Sequence, residues 1–214
     1  MSDSPGDGAP RPSDSPGDGA PRPTDPPGDG APQLADLPSD LRSAPVPPLA
    51  ADDHVRGPPG APLVIVYADF ACSFCALANE RLRAAGVRYA FRHFALRAKH
   101  PRAVALACAA EAAGRQGSFW EMHDALFADQ GRLDDPHLWE RASGLGLDIG
   151  RFERDRRDAA VVARVQRDVH SGLRAGVAVT PTLFVAGEAQ PGPPDPQRLG
   201  ALFTRAPAHR PDTV

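Results

Sequence analysis

The chain of 214 residues is poor in cysteine, and this scarcity limits the metal sites that it can build. Its three cysteines are Cys72, Cys75 and Cys108, and the nearest downstream histidines, His93 and His100, lie seven residues apart. A structural zinc site normally takes four ligands, often two C-x-x-C pairs or one such pair with two close histidines. The ligand count therefore disfavours zinc, and we expect neither a metal nor a cofactor.

Long apolar stretches are also missing from the sequence. No run approaches the roughly 20 apolar residues that cross a bilayer. The N-terminus lacks the basic region and the continuous apolar region of a secretory signal. These absences predict a cytoplasmic protein without a membrane partner. Because cytoplasmic thiols are kept reduced, a disulfide in this protein is expected to be transient and catalytic.

Residues 1–53 offer too little apolar surface for a core. They contain ten Asp, no Glu and three Arg, and an eleven-residue repeat rich in Pro, Gly and Asp occurs three times between residues 2 and 34. Such repeats cannot offset the entropy that is lost when the chain becomes ordered. We therefore expect a disordered tail over 1–53, one folded domain over 54–206 and a short C-terminal tail over 207–214.

The most informative motif that is present is the C-x-x-C pair of Cys72 and Cys75. It follows the apolar run 63–67 and precedes a predicted helix. Cys72 then lies at a helix N-terminus, where the dipole and the free N–H groups favour a thiolate. Cys75 lies one helical turn further on, close enough to form a disulfide. We predict an exposed Cys72 of low pKa and a more buried Cys75, while an inert buried pair remains an alternative.

A second motif is Thr180-Pro181, which opens an extended apolar segment that ends near Val185. Proline is tolerated as the first residue of a strand, and a cis peptide bond costs little only before proline. In a protein with an upstream C-x-x-C pair, such a loop lies against the cysteines. We therefore predict a cis Thr180–Pro181 bond beside Cys72.

Six short motifs occur in order along the chain. They are DHVRG at 53–57, DFACSFC at 69–75, FRHF at 91–94, SFWEMHD at 118–124, LGLD at 145–148 and VTPT at 179–182. Together they resemble the cytosolic-type branch of the DsbA-like thioredoxin-fold oxidoreductases, over about residues 53–204. Similar domains also occur fused to bacterial sodium/proton antiporters. The resemblance implies an α/β thioredoxin fold with an inserted helical subdomain at about 97–175.

The resemblance also implies a function, which is thiol-disulfide exchange with protein or low-molecular-weight substrates and with an unknown redox partner. Cys72 forms the mixed disulfide in this scheme, and Cys75 resolves it. Substrate binding is expected at Phe74, Thr180 and Pro181, with the Thr180 backbone pairing with an extended substrate segment. The Thr180 hydroxyl is expected to donate to the Cys72 sulfur.

One position departs from the family pattern. Relatives usually carry a strand glutamate six residues before the first cysteine, and this chain has Val66 there. Water or Asp69 would then have to accept the proton of Cys75, whereas the turn preference of aspartate favours Asp69 as a cap of the active-site turn. Two alternatives stay open. One, favoured by Val66, is a thioredoxin-like protein-binding module with weak or no redox turnover, and the other is a zinc-stabilised structural protein.

Hydrophobic periodicity places the remaining elements. Strands are predicted at 63–68, 88–94 and 182–186, followed by a short edge strand, and helices at 72–85, 101–113, 118–127, 134–143, 148–175 and 196–203. His93 is expected to be a strand residue near the site rather than a proton shuttle, because it has no paired acid in the sequence, and Cys108 is expected to be a small core residue. The longest helix is expected to present a solvated basic face, whose interleaved acids argue against nucleic-acid binding. Its arginines are Arg151, Arg154, Arg156, Arg157, Arg164 and Arg167.

Overall fold

The computed structural model describes residues 44–197 and 199–200. The strands are β1 (His54–Arg56), β2 (Leu63–Ala68), β3 (Arg88–His93), β4 (Thr182–Val185) and β5 (Glu188–Pro191). The helices are α1 (Ser73–Ala84), α2 (Ala103–Gly114), α3 (Phe119–Ala128), α4 (Asp135–Gly144), α5 (Ile149–Asp155) and α6 (Ala159–Arg174). The repeats, the C-terminal tail and the end of the helix expected at 196–203 lie outside the described residues.

The strands form one mixed sheet in the order β1-β3-β2-β4-β5. β2 and β3 are parallel and joined through α1, and the other neighbours are antiparallel. Both central strands are buried at every position after the first. Such continuous burial is typical of strands that are covered on both faces, and it explains why β2 is an unbroken apolar run. The expected α/β fold with helices inserted before the last two strands is confirmed.

Alternate residues of β2 belong to different cores on the two faces of the sheet. Val64 and Val66 pack in the larger cluster, which also contains Phe91 and most of the helical insertion. Ile65 and Tyr67 pack in a second cluster on the other side. This alternation follows from the two-residue period of a strand. The helical insertion therefore supplies one complete wall of the domain.

Two elements differ from the sequence-based expectation. The strand β1 was not predicted, because three residues are too few for a recognisable alternating pattern; it pairs with β3 through His54 and Phe91. The helix expected over 148–175 is two helices, α5 and α6. The break occurs where the Asp158 carboxylate accepts a hydrogen bond from the Ala160 N–H at 2.7 Å. This cap starts a new helix and competes with continuation of the old one.

Residues 44–53 pack against the folded domain, although the sequence predicted a disordered tail up to residue 53. The buried Arg92 guanidinium donates to the carbonyl oxygens of Pro47 and Pro48 at 2.9 and 2.7 Å. It also forms a 2.8 Å ion pair with Asp53, and both side chains are almost completely buried. The boundary at residue 53 therefore lies about ten residues too late, because the partners of Arg92 are carbonyl groups that a composition argument does not consider.

The basic face expected on the longest helix is not uniformly solvated. Arg156 is buried, with its guanidinium 3.0 Å from Asp135 and 2.6 Å from Glu153. Arg164 is also largely covered and contacts Asp52. Arg156 and Arg164 are therefore covered by their acidic partners rather than facing water.

Candidate active site

The two cysteines of the C-x-x-C motif lie where β2 leads into α1. Cys72 has an extended backbone and immediately precedes the helix. Its carbonyl oxygen accepts the first helical hydrogen bonds, from the N–H groups of Cys75 at 3.0 Å and Ala76 at 3.3 Å. No acidic residue occupies the first turn of α1, so the positive end of the helix dipole is not neutralised by a helix side chain. Both cysteines are free thiols.

The Cys72 thiol is strongly acidified. The hydrogen bond from the Cys75 thiol lowers the pKa of Cys72 to about 5, against the effect of burial, and contributions come from Thr180 and from the backbone N–H groups of Cys75 and Phe74. The Cys72 side chain is buried, which corrects the expectation that it is exposed. A thiolate is therefore stabilised by its neighbours and not by water.

Cys75 has the opposite properties. Burial raises the pKa of the Cys75 thiol far above its ordinary value, and the nearby Cys72 sulfur raises it further. The backbone N–H of Asp69 lies 3.4 Å from Cys75 Sγ, and it is a polar group that a thiolate at this position can use. The pair is thus asymmetric, because the pKa of the Cys72 thiol is lowered and the pKa of the Cys75 thiol is raised.

The loop before β4 covers the Cys72 sulfur. The Thr180–Pro181 peptide bond is cis, and the Cys72 thiol donates to the carbonyl oxygen of Thr180 at 3.4 Å. The buried Thr180 hydroxyl helps to lower the pKa of the Cys72 thiol, as expected from the sequence, although it forms no hydrogen bond of regular geometry among the described residues. Phe74 and Val179 are both large exposed apolar residues, and they are sequence neighbours of Cys75 and Thr180. Each of the two segments that meet at Cys72 therefore exposes one large apolar side chain.

The side chain of Asp69 makes two contacts at the foot of the active-site loop. Its Oδ1 accepts a hydrogen bond from the Ala71 N–H at 2.9 Å, which is the turn cap predicted from the sequence. Its Oδ2 lies 2.7 Å from Nδ1 of His100. The sequence did not indicate His100, because 31 positions separate the two residues. The segment after β3 brings them together.

A model of the family described as DSBA-like thioredoxin domain matches residues 63–203. The chain belongs to this family. It is 42% identical to the Na(+)/H(+) antiporter NhaA 1 of Salinispora arenicola over 160 residues, which are 72% of this chain and 24% of that protein. The DSBA-like chain thus spans about a quarter of the length of the antiporters that it matches.

Solved structures agree with the family assignment. A thioredoxin-like oxidoreductase from Silicibacter pomeroyi is similar with a TM-score of 0.67 and 24% identity, over 73% of this chain and 93% of that one. Pseudomonas aeruginosa DsbA2 is similar with a TM-score of 0.58 and 26% identity, over 73% and 94% of the two chains. The thioredoxin fold with inserted helices is therefore confirmed. Among the described residues, no helix is long and apolar enough to cross a membrane.

The strand position at which DsbA-like relatives usually have a glutamate is apolar in three dimensions as well as in sequence. Val66 is buried in the same cluster as Cys75, together with Leu82 and Phe91. This position offers no proton acceptor to Cys75. Across the described part of the chain, no group of three or more His, Cys, Asp or Glu side chains is arranged to hold a metal ion.

A glutamine from the helical insertion holds the active-site loop of this DsbA-like domain. Gln130 follows α3, and its side-chain amide donates to the carbonyl oxygens of Phe70 at 2.7 Å and Cys72 at 3.0 Å. These are the two ends of the turn that precedes α1. The sequence gives no signal for this contact, because the residues are about 60 positions apart. The insertion therefore helps to position the cysteine pair.

A second polar group lies behind the same loop. Glu111 Oε1 is 2.8 Å from Nε2 of His93 and 2.9 Å from Nε2 of His54. Burial raises the pKa of Glu111, but the hydrogen bonds with the two histidines outweigh it and hold the pKa well below its ordinary value. His93 is a buried residue of β3, as expected, and Glu111 is an acidic partner that the sequence did not indicate. The His93 ring also contacts the ring of Phe70 at a centroid distance of 5.9 Å. The pair of His93 and Glu111 therefore packs against the turn that contains Phe70.

Proposed function

We propose that this chain is a thiol-disulfide oxidoreductase that exchanges disulfides with protein or low-molecular-weight thiols through Cys72 and Cys75. The asymmetry of the two thiols carries the proposal. A pKa of about 5 for Cys72 corresponds to about 99% thiolate at neutral pH, against a few per cent for an ordinary cysteine. Cys75 is meanwhile buried and protonated.

The proposed reaction has two thiolate attacks. The Cys72 thiolate attacks a substrate disulfide, forms a mixed disulfide and expels one substrate sulfur as a thiolate. Cys75 then loses its proton and attacks the Cys72 sulfur, which releases the second substrate sulfur and leaves a Cys72–Cys75 disulfide. The reverse sequence oxidises a substrate dithiol. A low pKa also makes Cys72 a good leaving group, which favours the reverse direction.

The substrate is proposed to bind along the loop of Thr180 and Pro181. The Thr180 carbonyl lies against the Cys72 sulfur, and an extended substrate segment can pair with this backbone as an additional strand. Phe74 is 60% exposed and offers an apolar contact next to the cysteine pair. An aromatic side chain supplies a large contact area at a small cost in conformational entropy.

The alternative is a thioredoxin-like binding module with weak or no redox turnover. Its support is the apolar Val66, which removes the usual proton acceptor for Cys75 and so impairs the second attack. The two functions differ in turnover with a small disulfide, which only the oxidoreductase sustains. The cytoplasmic location and the absence of a nucleic-acid partner stay predictions from the sequence.

Trapping of the mixed disulfide tests the proposal. Cys75→Ser is expected to accumulate mixed disulfides through Cys72, and Cys72→Ser is expected to abolish both adducts and turnover, because only Cys72 has an acidified thiol. Mass spectrometry locates the adducts. Cys108→Ser is the matched control and should change nothing, since Cys108 is buried and burial raises the pKa of its thiol to about 11. Adducts mainly on Cys75 or Cys108 contradict the proposal.

The reduction potential determines the net direction of the reaction. A value near the roughly −270 mV of thioredoxin indicates a reductase, and a value near about −120 mV indicates a dithiol oxidase. Equilibration with glutathione buffers of defined ratio measures it. The acidified Cys72 stabilises the reduced form, so we expect a potential on the oxidising side of thioredoxin.

A further inference from the structure

A buried carboxylate beside Cys75 is connected to the surface by a single histidine. Asp69 donates its backbone N–H to Cys75 Sγ at 3.4 Å, so the residue that carries the carboxylate is in direct contact with that sulfur. The carboxylate is 2% exposed and lies 2.7 Å from His100, whose side chain is 24% exposed. Asp69 therefore contacts the buried thiol through its backbone and a partly exposed histidine through its side chain.

The resolving step needs a proton acceptor close to Cys75. Cys75 must lose its proton before its sulfur can attack the mixed disulfide, because only the thiolate is nucleophilic. Its burial disfavours release of a free thiolate, and the strand position at Val66 is apolar. A proton acceptor on the Asp69 side of Cys75 solves both problems, since it takes up the proton where the sulfur already has a polar contact.

We propose that Asp69 accepts the proton that Cys75 gives up when it resolves the mixed disulfide, and that His100 positions the Asp69 carboxylate and passes the proton to solvent. This inference rests on the proposed function. In the step, the S–H bond of Cys75 breaks, a Cys75–Cys72 disulfide bond forms, and the bond between Cys72 and the substrate sulfur breaks. The substrate sulfur leaves with the electron pair as a thiolate, and the proton goes to Asp69.

Few other charged groups lie near Asp69 and His100. Cys75 is the titratable group of α1 that contacts Asp69, through the Asp69 N–H, and Lys99 precedes His100 in the chain. Arg102 follows His100, but its guanidinium is bound to Asp135 at 2.5 Å. Among the described residues, the salt bridge of Asp69 is with His100 and with no other cation.

The turn cap made by Asp69 can be separated from its proton transfer. Asp69→Asn keeps an oxygen that accepts from the Ala71 N–H, so it preserves the turn but removes the base. His100→Asn places an amide N–H near the position of Nδ1, so it keeps a donor for Asp69 but cannot titrate. The matched control is His137→Asn, because His137 forms a similar pair with Asp134 at 2.5 Å on an exposed part of α4.

A chromogenic aromatic disulfide separates the two attacks in a single turnover. The reduced protein releases a first coloured thiolate when Cys72 attacks and a second when Cys75 resolves, and stopped-flow absorbance follows both. We expect Asp69→Asn to leave the first release unchanged and to slow the second by about 10²-fold, the lower range for loss of a general base. His100→Asn should slow the second release by about tenfold and change its pH profile. His137→Asn should change neither release.

Chemical rescue distinguishes proton transfer from a structural effect. In His100→Ala, added imidazole should restore the second release, which a protein with only a distorted loop does not show. The inference is overturned if the second release in Asp69→Asn keeps the rate and pH profile of the unaltered protein, or if imidazole has no effect on the slowed His100→Ala. Absence of the first release in the unaltered protein instead refutes the proposed function itself.

Discussion

The segment that the structure adds to the domain, residues 44–53, gives the sharpest stability prediction. Two truncations differ only in this segment. One removes residues 1–43, and the other removes residues 1–53. The second deprives the buried Arg92 of the Asp53 carboxylate and of the carbonyl oxygens of Pro47 and Pro48, which it contacts at 2.7–2.9 Å. If residues 1–53 were all disordered, neither truncation would change the stability of the domain. The structure predicts instead that removal of residues 1–43 leaves the stability unchanged and that removal of residues 1–53 lowers it.

The expected magnitude follows from the burial of this ion pair. The side chains of Arg92 and Asp53 are 4% and 3% exposed. Removing one partner of such a pair costs about 3–5 kcal/mol, because the other charge stays buried without compensation. Truncation to residue 53 also opens Arg92 to water, so we take the lower end, about 3 kcal/mol. For a domain of this size that corresponds to a melting temperature lower by roughly 6–12 °C.

Thermal unfolding followed by circular dichroism measures the difference, and two neighbouring substitutions in the full chain provide a matched control. Asp53→Ala is expected to cost about 3 kcal/mol or more, since it leaves Arg92 buried and unpaired. Asp52→Ala removes a carboxylate that contacts Arg167 at the surface and the largely covered Arg164, and because the Asp52 carboxylate is itself half exposed the change should cost about 0–1 kcal/mol, as for surface ion pairs. Equal melting temperatures for the two truncations, or for the two substitutions, would refute the reasoning.

Three further predictions concern the active site and its support. Alkylation of Cys72 by iodoacetamide should rise with pH to a plateau, with half of the maximal rate near pH 5, because the pKa of this thiol is lowered to about 5. Gln130→Met should cost about 1–3 kcal/mol, since it removes two hydrogen bonds to the active-site loop, and should slow turnover. The free energy of unfolding should fall as the pH drops below about 4.5, and Glu111→Gln should weaken this dependence.

The sign of the Glu111 prediction follows from linkage. A carboxyl whose pKa is depressed by folding stabilises the native state above its unfolded pKa, and the stabilisation is lost as the pH falls below that value. Denaturant titrations between acidic and neutral pH measure this slope. For Gln130, the control is Gln116→Met, whose hydrogen bonds to Asp148 are exposed and remote. A Cys72 that titrates near the ordinary value of 9.0, or equal effects of the two glutamine variants, contradict these assignments.

The local sequence was sufficient to predict several parts of the structure. The apolar β-branched run of β2, the C-x-x-C pair at the start of α1 and the proline at the entry of β4 depend on neighbours in the chain. Strand propensity, helix-terminus chemistry and the properties of proline act over a few residues. The family resemblance then joined these parts into the correct fold. The turn cap made by Asp69 was also within reach, since its partner Ala71 is two residues away.

The contacts between residues that are distant in sequence were visible only in the tertiary structure. His100 beside Asp69, Gln130 on the active-site loop and Glu111 between two histidines each join positions 18 to 60 residues apart. Whether Cys72 is exposed, and where the tail ends, likewise depended on packing against other segments. The physical reason is that a polar side chain forms hydrogen bonds with the groups that are near it in the folded state. A single sequence does not show which distant residues become neighbours. The C-x-x-C motif of this chain predicted a redox pair, and the folded contacts show which side chains lie around that pair.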